Sequence, residues 1–253
     1  MNEVTVYNWL IVTMFFLAAA AFSVLFFVAA PYGRHARSGW GPSVNDRLGW
    51  IVMESAAPVV FLVCYFGGPK SSSVTALVFL GMWELHYVHR AFVFPFLMRS
   101  RANRMTIVVV ALGFAFNSIN AYLNGHYVFM LSGGYRGGWL VGPEFIVGAA
   151  VFTSGFVINR HADWTLRSLR HQGESGYGIP SGGLYRWISC PNYFGEILTW
   201  TGWAIATWSL AGLVFATWTA ANLVPRARSH QIWYRQRFPD YPVKRKALVP
   251  LLW

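Results

Sequence analysis

Charge is sparse in this 253-residue sequence: 11% of its residues are Asp, Glu, Lys or Arg, and only nine are acidic. A soluble domain carries about a quarter charged residues, so an aqueous surface around the whole chain is excluded. Cysteine is nearly absent too. Cys64 and Cys190 lie in unrelated contexts, which excludes a disulfide-stapled scaffold. The seven histidines, at 35, 86, 89, 126, 161, 171 and 230, are scattered rather than gathered, so no metal centre is expected. There is no Walker A motif and no nucleophile elbow. The glycine-rich run Gly133–Gly138 does not open a nucleotide-binding β-α unit. No internal repeat or low-complexity stretch divides the chain, and it reads as one domain, 1–253.

What is abundant is apolar and aromatic. Hydrophobic residues make up 55% and aromatics 18%, and the mean hydropathy is +0.40. That arithmetic excludes disorder and collagen and describes an integral membrane protein with little outside the bilayer. Apolar stretches long enough to span run from Val4 to Ala30, Leu48 to Phe66, Val74 to Leu97, Met105 to Leu123 and Val141 to Ile158. A last block, Tyr193 to Val224, is too long for one crossing and suits two tight ones broken near Thr207–Ser209. The expected fold is therefore all-α and polytopic, with seven transmembrane helices. The N-terminal run is too long for the apolar part of a cleavable signal and lacks its basic flank, so the first span is expected to be retained.

The net charge of +11 sorts by loop instead of forming a nucleic-acid face. Of the twenty Lys and Arg, seventeen fall in the odd-numbered loops and the tail, two in the even-numbered loops, and Arg90 within the third span. The positive-inside rule then puts the N-terminus outside and the C-terminus in the cytoplasm.

Ionisable groups at membrane depth cost about 2.5–3.5 kcal/mol each on insertion scales, so each needs a reason. Glu54, Glu84, Asp163 and Glu196 qualify, and the third span also carries His86, Tyr87, His89 and Arg90. Buried structural pairs, such as Glu84 with a neighbouring histidine, are one explanation. A polar cavity within the bundle is the other. Three stripes repeat one device: Asn159, Asp163 and Arg167 at steps of four with Arg170 three further on; Asn192 and Glu196; and Arg226, His230 and Tyr234. Residues four apart share a helix face. These stripes are either snorkelling interfacial side chains or, with Arg99 and Arg101, a cationic basin suited to a phosphate-bearing ligand from the cytoplasm.

The stretch Gly176–Leu184, then Ser189-Cys190-Pro191-Asn192-Tyr193-Phe194-Gly195-Glu196, resembles the steroid 5α-reductase family. So do Asn159–Asp163, His86-Tyr87-Val88-His89-Arg90 and the basic tail Asp240–Pro250. The resemblance is strong over about the last 170 residues, and a bacterial member is expected. It implies a membrane enzyme that uses NADPH to reduce the Δ4 double bond of 3-oxo-steroids. Glu54 and Tyr87 would face the C3 carbonyl. Asn159, Asp163, Arg167, Arg170, Tyr177, Asn192, Glu196, Arg226, His230 and Tyr234 would surround NADPH, with Arg101 nearby. Residues 1–140 would serve mainly the substrate and 141–253 mainly the cofactor. Met53 stands where the animal steroid enzymes usually carry glutamine.

An enone accepts hydride because its carbonyl takes the negative charge, so hydride would land on C5 and an enolate would develop at the C3 oxygen. Donors aimed at that oxygen strengthen as the charge grows. Tyr87 can donate; Glu54 can donate when protonated, or accept from Tyr87 and orient it. C4 then takes a proton. The expected partners are a steroid or other lipophilic enone and membrane lipid, without nucleic acid or an obligatory protein. The membrane would be the inner membrane of a bacterium or the endoplasmic reticulum of a eukaryote, with the cofactor site toward the cytoplasm. Related membrane reductases of polyprenol, enoyl-CoA or another sterol double bond are alternatives. So are an isoprenylcysteine-type methyltransferase, whose cofactor carries no phosphates, and a small transporter.

Overall fold

The computed structural model describes residues 2–28, 41–69, 73–97, 104–169 and 178–252. Among these the α-helices are α1 (Glu3–Phe27), α2 (Asp46–Gly67), α3 (Val74–Val88), α4 (Phe94–Leu97), α5 (Ile107–His126), α6 (Pro143–Ser168), α7 (Pro191–Thr207) and α8 (Leu210–Arg237). Four are long and apolar enough to cross a membrane: α1, α2, α5 with its continuation to Leu131, and α6. At 22–26 residues each, and about 1.5 Å per residue, they match or exceed a hydrocarbon core of about 30 Å. The other expected spans differ for local reasons. α3 gives way to a π-helical turn, His89–Val93, before α4. α7 has 17 residues, and α8 turns polar from Arg226 onward.

The chain folds as two compact units, Pro31–Phe145 and Met1–Ala30 with Ile146–Trp253. In the first, α2 packs along α5. Gly113 and Gly125 make this possible, because a Cβ at either would overlap Met53 or Cys64 respectively. Phe61 of α2 stacks on Trp83 of α3 with ring centroids 4.4 Å apart, and the Trp83 indole donates to Ala57 O at 3.3 Å. Asn45 caps α2 by accepting from Arg47 N and Leu48 N. An element not expected from sequence precedes that cap. Strands β1 (Ser43–Asn45) and β2 (Arg104–Thr106) pair antiparallel, with Val44 opposite Met105. Three-residue strands carry no readable alternation, and this pair is held by Arg104, which donates to Ser43 Oγ and O at 2.7 and 2.8 Å.

In the second unit α1 lies along α8 and α7 along α8. α6 and α7 meet through four glycines at matching seven-residue spacing. A Cβ on Gly148 or Gly155 of α6 would strike the backbone of Ala206 or Thr199. One on Gly195 or Gly202 of α7 would strike Asn159 or Phe152. Small residues let two apolar helices approach backbone to backbone where lipid supplies no hydrophobic drive. The expected break at Thr207–Ser209 is present. Trp208 turns left-handed at φ 47°, and Ser209 caps α8 by accepting from Gly212 N at 2.9 Å. Beyond α8 the chain doubles back so that Ile188 bridges Lys246 in parallel, with Ser189 N donating to Lys246 O at 2.8 Å and Cys190 N to Ala247 O at 3.2 Å.

Candidate active site

Each unit buries a cluster of polar side chains within largely apolar packing. In the unit of residues 31–145 its centre is Glu54, on the inner face of α2 and 5% exposed. Arg90 Nε lies 3.3 Å from Glu54 Oε1. Asn117 of α5 reaches across with Nδ2, donating to Met53 O at 2.9 Å and to Glu54 Oε2 at 3.4 Å. Arg90 is aimed by its own neighbours. Its guanidinium lies over the Trp50 ring at 5.2 Å, and the Trp50 indole returns a hydrogen bond to Arg90 O at 3.1 Å. Arg90 sits in the π-helical turn after α3, a local widening that recurs at functional sites. Tyr87, one turn before it, is buried against the rings of Trp83 and His86, 4.9 and 5.1 Å away. Glu84 does not follow the expected histidine pairing at one oxygen: Oε1 is buried without a hydrogen-bond partner among the described residues.

In the unit of residues 1–30 and 146–253, two of the expected stripes interlock because the glycines bring α6 and α7 together. Asn159 Nδ2 donates to Asn192 O and to Glu196 Oε2, both at 2.9 Å. Asn192 Nδ2 donates to Asp163 Oδ1 at 3.3 Å. Trp200 Nε1 satisfies the second oxygen of Glu196 at 3.1 Å, and Arg160 donates to Asn159 Oδ1 through Nε at 3.1 Å. Asn159 and Glu196 are buried; Asp163, Asn192 and Arg167 are partly open. The third stripe joins through Tyr193. His230 Nε2 lies 3.3 Å from the Tyr193 hydroxyl, and the Arg226 guanidinium sits 5.7 Å from the Tyr193 ring centre. Tyr234 instead faces the returning tail, stacked on Tyr241 at 5.2 Å. Arg101, Arg170 and Tyr177 lie outside the described residues.

The loop before α7 closes over this group. Tyr185, 1% exposed, donates from its hydroxyl to Ala162 O at 3.3 Å. Burial foremost, with Cys190 and Asp163 adding negative potential, pushes its phenol well above the ordinary range, so it remains a neutral donor. Gly183, at φ 48°, lies against the His161 ring, where a Cβ would fall 2.8 Å from the nearest ring carbon.

Sequence reasoning did not single out Asn117, Tyr193, Trp200 or Tyr185. For Asn117 a signal existed: Asn117, Asn120 and Asn124 form a polar stripe on an apolar helix, and all three are buried. Tyr193 and Trp200 pass as ordinary interfacial aromatics until α7 is set against α6 and α8.

A family model described as 3-oxo-5-alpha-steroid 4-dehydrogenase matches residues 103–253. The chain is 37% identical to steroid 5-alpha-reductase of Arabidopsis thaliana over 255 residues, 98% of this chain and 97% of that protein. It is 39% identical to 3-oxo-5-alpha-steroid 4-dehydrogenase 1 of Mus musculus over 254 residues, 100% of this chain and 99% of the other. The corresponding protein of Bos taurus is 38% identical over 240 residues, 93% of each. These relatives are plant and mammalian, so the bacterial origin expected from sequence finds no support in them. With a family model over more than half its length and relatives aligned nearly end to end, this chain belongs to the 3-oxo-5-alpha-steroid 4-dehydrogenase family and is an oxidoreductase.

Proposed function

We propose that the protein reduces the Δ4 double bond of 3-oxo-Δ4-steroids to 5α-3-oxosteroids with NADPH. The observation that carries this reading is the near-complete alignment to relatives named for that chemistry, at 37–39% identity. In the membrane the chain takes seven crossings, with the N-terminus outside and the C-terminus in the cytoplasm. The loop distribution of its Lys and Arg supports that orientation.

The interlocked polar group of α6, α7 and α8 is the cofactor site. Its donor set suits a phosphorylated dinucleotide. An amide donor comes from Asn192, an imidazole from His230 and guanidinium groups from Arg167 and Arg226, while Asn159 spends both amide hydrogens positioning Asn192 and Glu196. Asp163 and Glu196 offer acceptors for ribose hydroxyls or a carboxamide. Arg101, Arg170 and Tyr177, which the family resemblance adds, lie outside the described residues. NADPH, when bound, supplies the hydride.

The Glu54 group serves the steroid. Charge moves onto the substrate's C3 oxygen as C5 becomes saturated, and a donor at that oxygen lowers the barrier more than it tightens binding. Tyr87 is that donor. Glu54, which accepts from Asn117 and faces Arg90, holds the polar frame in which the phenol works.

Detergent-purified protein tests the reading. Mass spectrometry should find NADP(H), and the protein should oxidise NADPH with a 3-oxo-Δ4-steroid in preference to a polyprenol or an enoyl-CoA. Turnover of polyprenol or enoyl-CoA without the steroid moves the substrate to a related reductase class. Binding of S-adenosylmethionine in place of NADPH overturns the reading.

A further inference from the structure

We propose that Asn117 is a positioning residue of the steroid site: with Arg90 it fixes Glu54 as a hydrogen-bond acceptor, leaving Tyr87 to donate to the substrate carbonyl. The catalytic part of this rests on the function proposed above; the clamp itself does not.

Helix α2 is weakened at the level of Glu54. Pro58 stands four residues after Glu54 and has no N–H, so it cannot give the backbone carbonyl of Glu54 the usual intrahelical bond. The helix is loosened at the turn whose side chain must be held. Asn117 supplies the restraint from α5. An amide nitrogen carries two hydrogens in diverging directions. Here Nδ2 meets Met53 O at 2.9 Å and Glu54 Oε2 at 3.4 Å, one bond to the backbone of α2 and one to its acid. The backbone contact fixes the orientation of the amide, because Oδ1 turned toward a carbonyl oxygen would be repelled. Gly113, one helical turn earlier on α5, lets Met53 pack against its bare Cα, so the two helices approach closely beside the clamp.

The second oxygen of Glu54 faces Arg90 Nε at 3.3 Å. Neither the amide nitrogen nor the guanidinium can accept a hydrogen bond. Each carboxyl oxygen is thus met by a donor, and the group answers both only as an acceptor. A protonated Glu54 would have to withdraw one oxygen from this arrangement before it could donate to a substrate. Asn117 is 6% exposed, so water does not readily replace its bond.

The test uses full-length, detergent-purified protein and the variants Asn117→Ala, Asn117→Ser, Asn117→Asp, Glu54→Gln and the double variant N117D/E54Q. Two readouts are taken: thermal melting, and turnover of a 3-oxo-Δ4-steroid with NADPH. Asn117→Ala should lower kcat by about 10- to 100-fold, the scale of a misplaced catalytic group, with the KM for NADPH unchanged. Asn117→Ser keeps a donor and should recover part of kcat. Asn117→Asp sets two carboxylates face to face and should melt lowest. In N117D/E54Q the bond is reversed, with the new side-chain amide on α2 donating to the new carboxylate on α5, so melting should rise above that of N117D while kcat stays low. Wild-type kcat in Asn117→Ala overturns the positioning role, as does a double variant whose melting loss is the sum of the two single losses. If the wild-type protein melts normally but does not reduce the steroid, the proposed function fails, and the melting cycle still decides the clamp.

Discussion

Arg90 Nε stands 3.3 Å from Glu54 Oε1, a cation from a π-helical turn set against an acid from the middle of a membrane helix. The glutamate side chain is 7% exposed and the arginine 25%. Removing one partner of a buried ion pair costs about 3–5 kcal/mol, chiefly because the other charge is left uncompensated. The proposed function and stability therefore meet at one contact, and substitutions must be chosen to separate them.

Glu54→Gln keeps the shape and removes the charge, and Tyr87→Phe removes only a hydroxyl. Each should slow the chemical step by about 10²–10³-fold and leave NADPH binding intact. Single-turnover oxidation of NADPH, alongside nucleotide fluorescence quenching, checks both halves. Wild-type rates in either variant would refute that residue's role.

Asn159→Ala should act in the opposite sense. Its Nδ2 is shared between Asn192 O and Glu196 Oε2, and its loss leaves a buried carboxylate short of a donor, a defect of about 1–3 kcal/mol or more. The KM for NADPH should rise while steroid affinity holds. Steady-state titration of each substrate at saturation of the other makes the comparison, and a selective loss of steroid affinity would count against the assignment.

The glycine seam predicts a stability effect with no change in polar chemistry. Gly155→Ala places a methyl group against the Thr199 backbone, and Gly202→Ala places one against Phe152. Overpacking costs typically about 1–3 kcal/mol, and backbone is harder to move than a side chain. Both variants should melt lower in detergent, whereas Gly81→Ala, where nothing among the described residues lies within 4 Å, should not.

Tyr185 gives a pH signature. Its phenol titrates well above the ordinary 10.0, so the neutral form is favoured in the folded state. That contribution is fully present below pH 10 and is lost as pH rises toward the native value. Tyr185→Phe cannot ionise. Melting followed across the alkaline range should fall less steeply in the variant, at the expense of the bond to Ala162 O near neutrality. Parallel curves for the two proteins would remove Tyr185 from the alkaline response.

Long-period features of this molecule were legible in the sequence. The apolar runs located α1, α2, α5 and α6, and the excess length of Tyr193–Val224 located the break now seen at Trp208. The stripes of α6 and α7 were legible because residues four apart on a helix have a fixed relation whatever surrounds them. What stayed hidden depends on contact between segments. Nothing in the sequence says that Gly155 opposes Thr199, or that Asn117 lies level with Glu54 from 63 positions away. Arg90 was visible as a charge within a span, yet its partner was not, because Glu54 meets it from a separate helix. The β1–β2 pair and the Ile188–Lys246 bridge are too short to carry a pattern of their own.

The pairing of α1 with α8 has a consequence for biogenesis. Residues 31–145 are contiguous and can assemble as soon as they leave the ribosome, whereas α1, made before them, has to wait in the bilayer until Leu210–Arg237 has been translated. Its partner surface stays uncovered throughout that interval. The unit proposed to grip the nucleotide thus closes after the other, and the newborn chain would stay catalytically silent until α8 arrives.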